Sequence, residues 1–193
     1  MHWRRTWQPT PVFFSEIHYA TAEIQTFVDF KKRRYLSCRA SDRMKLLTQL
    51  AEAGFNVIDE AIAYPLMVLN DNGCKTKFSC GGHIGASKNM YIMFYDLDKE
   101  IEKRFDDSKI WQREETPLNT VYRAHYKNYG EWLASLNVLY DIVKDKKHEF
   151  TPYSVVQVEF KDGHKRFDII PDSELSTKYE NIDLNDVYSI YVI

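Results

Sequence analysis

Glycine is scarce in this chain, with seven in 193 residues, and three of the seven fall between positions 81 and 85. That concentration marks one place where positive φ, or close approach to bare backbone, is wanted. Cysteine is scarcer still. Residues Cys38, Cys74 and Cys80 are too few for an even disulfide framework. With no recognisable signal peptide, this excludes a disulfide-stapled secreted scaffold and predicts a reducing, cytoplasmic setting. An excess of one charge is also missing, because 26 basic residues against 28 acidic ones leave a net −2. Wholesale polyanion binding is thereby disfavoured, while a local basic patch for a nucleotide or an RNA element is not. No apolar run approaches the length of a membrane span, so no membrane partner is expected. Aromatic side chains, by contrast, are abundant at 15%, thirteen of them tyrosine. Tyrosine pairs an apolar body with a polar tip, which suits half-buried strands and ligand-facing walls. The 44% hydrophobic and 28% charged residues are those of an ordinary soluble globular chain able to bury a core.

Three regions differ in character. Residues 1 to 36 form an arm and a basic segment. The first fourteen lack any usable period and any acidic residue, and Lys31-Lys32-Arg33-Arg34 is a run of four cations that reads as a solvated face or as a phosphate contact. Residues 37 to 150 read as the main domain. Ser41 or Asp42 offers an N-cap for a helix whose apolar stripe is Met44, Leu47, Leu50 and Ala51, ended by Gly54. A second helix follows from Asp59, and Pro65 predicts either a start delayed to about Ala63 or a bend. Strands are expected at 74–79, 90–95, 109–114 and 119–126, a short helix capped by Asp96 or Asp98, and a helix over 130–144. Residues 151 to 193 read as a small β element, with a hairpin around Asp162-Gly163 and a last strand from Val187. The fold class is α/β of the α+β type, a mixed β-sheet flanked by about three helices with a small C-terminal β appendage.

The functional signal is concentrated in Lys75-Thr76-Lys77-Phe78-Ser79-Cys80-Gly81-Gly82-His83-Ile84-Gly85. A glycine-rich loop leaving a strand can aim several N–H groups into an anion-binding nest. Lys75, Lys77 and Lys88 would neutralise a phosphate or carboxylate, and His83 would read a polar edge. Strict alternation puts Lys75, Lys77 and Ser79 on one strand face and Thr76, Phe78 and Cys80 on the other. Arg123 and His125, sharing a face of a later strand, would add a second charged wall. The candidate ligand-binding set is therefore Lys75, Thr76, Lys77, Ser79, Cys80, Gly81, Gly82, His83, Lys88, Arg123 and His125. No catalytic residue is assigned. Cys80 with His83 supplies two donors for zinc where a structural site needs four at paired spacing, so no metal is expected. The same pair is a conceivable thiol nucleophile with its base, although no cysteine-hydrolase signature surrounds it. The plainest alternative makes Cys80 a small apolar side chain and the glycines a bend.

The succession Ala51-Glu52-Ala53-Gly54, Val57-Ile58-Asp59-Glu60, Pro65 to Asn70 and Lys75 to Ile84 resembles the wybutosine-synthesis tRNA methyltransferase-like family over about residues 42–95. That resemblance implies an α/β fold, S-adenosylmethionine as cofactor and tRNA as partner. It also implies a ligand site lined by Ser79, Cys80 and Gly82. Here His83 replaces the family's loop arginine, Gly81 a loop serine, and Phe78 one serine of a pair. The segment is similar also to short stretches of phage-type proteins, which implies a viral protein holding a nucleotide-derived host defence signal. The sequence thus carries three readings. The first is a protein binding a small nucleotide-like ligand at the 75–85 loop. The second is an RNA methyltransferase. The third is a protein-interaction module that docks or oligomerises through its C-terminal β element.

Overall fold

The computed structural model describes residues 24–83, 88–182 and 185–193. The expectations for the first fourteen residues, and for Ile84 and Gly85 of the loop, lie outside them. Among the described residues the chain forms ten strands and five helices in a mixed α/β arrangement with two sheets.

One sheet joins the first and the last of the described strands. The hairpin β1 (Ile24–Asp29) and β2 (Arg34–Arg39) stands at its centre, with β3 (Asn56–Ile58) beside β1. The C-terminal strands β8 (Thr151–Phe160), β9 (Lys165–Pro171) and β10 (Val187–Val192) complete it. β8 runs parallel to β2 at Thr151 and Pro152, then carries antiparallel β9 and β10 along its remaining length. The helix α1 (Ala40–Glu52) packs Leu46 and Leu50 against Phe27, Leu36 and Val155 of this sheet. The apolar stripe thus lies about Leu46 and Leu50, while Met44 is 74% exposed and Ala51 faces solvent. Leu50 belongs to both sets and Leu47 packs against the same cluster, so the buried face is turned toward Leu46 and away from Met44 and Ala51. The helix also begins at Ala40, so neither Ser41 nor Asp42 is its N-cap. Gly54 does follow it, at φ +93.

The second sheet is antiparallel, in the order β4-β5-β7-β6. Its strands are β4 (Lys75–Cys80), β5 (Asn89–Asp96), β6 (Gln112–Glu115) and β7 (Thr120–His125). One face is covered by α2 (Glu60–Asp71), α3 (Lys99–Asp107) and α4 (Tyr129–Val143). Met90, Ile92, Phe94, Tyr122 and Ala124 project into that layer and meet Leu66, Phe105, Leu136 and Leu139. Asp98 caps α3, accepting from the Glu100 and Ile101 N–H groups. A short α5 (Leu175–Lys178) follows β9 through a 3₁₀ turn. No helix among the described residues is long and apolar enough to cross a membrane.

Pro65 neither delays α2 nor ends it, because the helix is continuous from Glu60. A proline there cannot donate to the carbonyl four residues back, which is that of Ala61. The Tyr140 hydroxyl of α4 donates to that carbonyl instead, at 3.4 Å, so the partner lost within the helix is restored from its neighbour.

His148, in the segment from α4 to β8, is packed among Tyr35, Tyr64 and Phe150. Its Nδ1 accepts the Phe150 N–H at 3.2 Å, as only an unprotonated nitrogen can. Burial pushes its pKa down, against a weaker upward pull from Asp71. The unfolded chain therefore binds the extra proton first. Stability should fall as pH drops below about 6.5, the ordinary histidine value. Urea midpoints measured between pH 7 and 5.5 should decline less steeply for His148→Phe than for the parent protein.

Candidate functional site

The first two glycines of the loop are held from three sides. Gly81 is buried against the start of α2, where an added Cβ would lie 3.1 Å from the Asp59 Cβ. Its N–H donates to Asp59 Oδ2 at 2.7 Å, and its carbonyl accepts the Trp132 indole N–H of α4 at 2.8 Å. Gly82 takes φ +79, and an added Cβ there would meet the Tyr126 hydroxyl at 2.6 Å. Glycine is therefore required at Gly82 both by conformation and by space. The Gly82 N–H in turn points at Cys80 Sγ, at 3.4 Å.

This arrangement brings Asp59, Cys80 and His83 together. One donor atom from each lies within 4.8 Å of the other two, with His83 exposed and the others half-buried. Asp59 holds the N-cap position of α2 with extended backbone, but its side chain does not cap the helix. It reaches across to the loop instead. Burial pushes the Cys80 thiol pKa up; the Gly82 N–H opposes this, while Asp59 adds to it both by charge and by a hydrogen bond. The lone thiol is thus held protonated, which is the reverse of an activated nucleophile. Cys38 and Cys74 are buried, with thiols pushed up to about 11 mainly by burial, and belong to the core.

The strand leading into the loop departs from strict alternation. Thr76 lies opposite Phe94, Phe78 opposite Met93 and Ser79 opposite Ile92, with register shifts on either side of Thr76. Lys77 is therefore the extra residue of a bulge, and Tyr95 is extra on β5. Consequently Thr76 and Phe78 face opposite ways, and Lys77 parts from Ser79. Thr76 turns to α2, where Asn70 Nδ2 donates to its hydroxyl at 2.8 Å. Ser79 shares the covered face with Ile92. Lys77 instead joins the opposite face, on which Phe78 and Tyr95 are exposed while Val121 is buried. Its ammonium lies 4.8 Å from the Tyr95 ring centroid and 5.5 Å from that of Phe78. Both rings are solvent-exposed, at 62% and 57%, so the cation sits beside two accessible aromatic faces.

The remaining candidate residues are placed by register. Cys80 lies opposite Tyr91, which lies opposite Arg123, so the three form one row across β4, β5 and β7. Two inter-strand steps separate Cys80 from Arg123 by about 10 Å. The Arg123 guanidinium stands 5.3 Å over the Tyr91 ring, tied by Glu114 at 3.1 Å and Asn89 at 2.9 Å. His125 is opposite Asn89, and the Lys88 carbonyl accepts the Tyr126 N–H. The loop end thus gathers Cys80, Gly81, Gly82, His83, Lys88, Arg123 and His125. Lys75 is left at the other end of β4, opposite Asp96 and about 16 Å from Cys80 along the strand. Thr76 and Ser79 do not reach the face that carries Phe78 and Tyr95.

Four contributors lie outside the sequence-derived set: Asp59, Tyr91, Phe78 and Tyr95. Asp59 is 21 positions before Cys80 in the chain, and no spacing rule joins the two. The exposed rings depend on the paired bulges, which leave no mark in a run as apolar as Met90 to Tyr95. No protein-family model, curated protein or solved structure matches this chain.

Proposed function

We propose that the protein binds a small nucleotide-like ligand on the face of β4 and β5 that turns away from α2, α3 and α4, from Lys77 up to the glycine loop. The observation that carries this reading is the Lys77 ammonium set beside the exposed Phe78 and Tyr95 rings. A planar base gains from such rings without regard to its identity, and the neighbouring cation meets the phosphate. Tyr91 under the Arg123 guanidinium continues the same combination of ring and cation toward His83. Register spaces Tyr95, Phe78 and Tyr91 over roughly 13 Å of strand, which accommodates a nucleotide or dinucleotide rather than a long polymer. The Lys31 to Arg34 run is not needed for this. Arg34 and Arg33 pair with Asp29 and Asp71 respectively.

Thermal unfolding against mononucleotides, cyclic dinucleotides, ADP-ribose and S-adenosylmethionine tests the reading. A ligand at a hundred times its dissociation constant adds about 2.7 kcal/mol to stability. Phe78→Ala and Tyr95→Ala should each weaken the responding ligand about 10- to 100-fold in calorimetry, the range expected for one lost base-stacking contact. Both side chains are exposed, so the fold is expected to survive. A ligand recovered chemically intact marks sequestration. A response to S-adenosylmethionine alone, with methyl incorporation into tRNA, transfers the assignment to a methyltransferase. No response to any member of the panel defeats the proposal.

A further inference from the structure

A different property belongs to the start of the loop. We infer that Asp59, Cys80 and His83 form a three-ligand site for a zinc-type divalent cation, with a fourth position open to solvent. Spacing along the chain offers only Cys80 and His83 as donors, too few for the metal site that sequence alone would require. The fold supplies the third donor from the N-terminus of α2.

Three observations support the assignment. The first is distance: the three donor atoms lie within 4.8 Å of one another. Ligand atoms around a tetrahedral zinc, at bond lengths of about 2.0–2.3 Å, are separated by about 3.3–3.7 Å. Closing the difference takes about 1 Å, within reach of the exposed His83 side chain. The second is the behaviour of Asp59. A residue type well suited to cap α2 leaves the cap unmade and extends to the thiol and the loop instead. Its Oδ2 accepts the Gly81 N–H, and Cys80 Sγ faces the Gly82 N–H. Such outer hydrogen bonds orient the side chains that ligate a metal. The third is rigidity, since Trp132 and Tyr126 fix both glycines from behind, and a preset cage loses little entropy when a cation enters.

Donor chemistry selects the metal. A thiolate, an imidazole and a carboxylate suit zinc or cobalt, whereas magnesium and calcium prefer all-oxygen sets. Three protein ligands with one position left over is the arrangement of zinc sites that present water or a ligand atom, not of closed structural sites. The site lies next to the ring-lined face but shares none of its side chains.

The test uses the full chain without a histidine tag, titrated with Co²⁺ alone and then competed with Zn²⁺. Expected are one cobalt per chain, a thiolate-to-cobalt charge-transfer band, the strong visible absorption of tetrahedral cobalt, and loss of both bands on adding zinc. Cys80→Ser should abolish the charge-transfer band. His83→Ala and Asp59→Asn should each weaken binding at least about 10-fold, with far-ultraviolet circular dichroism confirming a folded sample. His83 is exposed, so that variant tests the site even if Asp59→Asn perturbs α2. A parent protein without the cobalt spectrum overturns the assignment. So does a spectrum that persists in Cys80→Ser or is unweakened in His83→Ala. Nucleotide binding unchanged in His83→Ala leaves the ring-lined face standing whatever cobalt shows.

Discussion

Asp29→Ala should lower the unfolding free energy by about 3–5 kcal/mol, the range for removing one partner of a buried ion pair. Asp29 closes the β1–β2 hairpin and is almost fully buried, with a side chain 4% exposed. Its Oδ1 accepts the Lys31 and Lys32 N–H groups, each at 3.0 Å. Its Oδ2 accepts Arg34 Nη2 at 2.7 Å and Nε at 3.3 Å. Arg34 also donates to the Ala53 carbonyl at 2.7 Å and lies over the rings of Phe55 and Tyr153. Losing the carboxylate would strand that guanidinium, 17% exposed, among aromatic side chains. It would also orphan two turn N–H groups. Burial alone would push the Asp29 pKa up, but Arg34 and the two N–H groups outweigh it and hold the carboxyl below the usual range. The folded pKa is depressed, so this contribution is present above about pH 3.9 and is lost as pH falls through the lower folded value. Urea denaturation at pH 7 reads the loss as a lower midpoint at unchanged slope. The pair Asp29→Leu with Arg34→Met should recover part of it, because no charge is then left buried alone.

This hairpin also shows where sequence pattern stops being informative. The last four residues of β1, Thr26 to Asp29, are all buried, so the strand lacks the alternation by which a half-exposed strand is recognised. Its neighbour was masked by the basic run: Arg34 is a cation in sequence and a core ion pair in the fold. Local chemistry was legible at several self-contained places, though not at the start of α1, where Arg39 rather than Ser41 or Asp42 holds the N-cap position. Asp98 caps α3, Asp162-Gly163 turns β8 into β9 with Gly163 at φ +87, and the apolar run from Met90 becomes β5. Each is decided within a few residues. The C-terminal β element was legible as strands, but its parallel contact with β2 joins positions more than a hundred residues apart. In the site, the glycines announced the loop. Strict alternation puts Lys77 on the Ser79 face, because a bulge cannot be seen in a strand whose both faces carry polar residues. Asp59 was legible as the start of a helix, while its approach to Cys80 exists only once α2 and β4 are packed.

Gly82→Ala should cost about 2–4 kcal/mol, combining a strained backbone with overpacking. The backbone contribution is set by φ +79, and the steric one by Tyr126, whose Oη, Cε1 and Cζ would lie 2.6, 2.9 and 3.0 Å from the new Cβ. Tyr126 cannot swing clear easily. It is buried at the end of β7, and its N–H is bound to the Lys88 carbonyl at 3.0 Å. Nor can the loop slide the other way, because Trp132 holds the Gly81 carbonyl and an added Cβ on Gly81 already finds Asp59 at 3.1 Å. Gly163→Ala supplies the matched comparison. It has nearly the same backbone, φ +87, with nothing within 4 Å of the new Cβ, and should cost only the backbone strain of about 1–2 kcal/mol. The difference between the two urea midpoints isolates the contact with Tyr126. A Gly82→Ala protein no less stable than Gly163→Ala would show that the loop is not clamped as described. Function separates them further at temperatures where both remain folded. Relieving that clash in Gly82→Ala should move His83 relative to Cys80 and Asp59, so its cobalt affinity should fall toward that of His83→Ala. Gly163→Ala, at the tip of the β8–β9 hairpin, should keep the parent value.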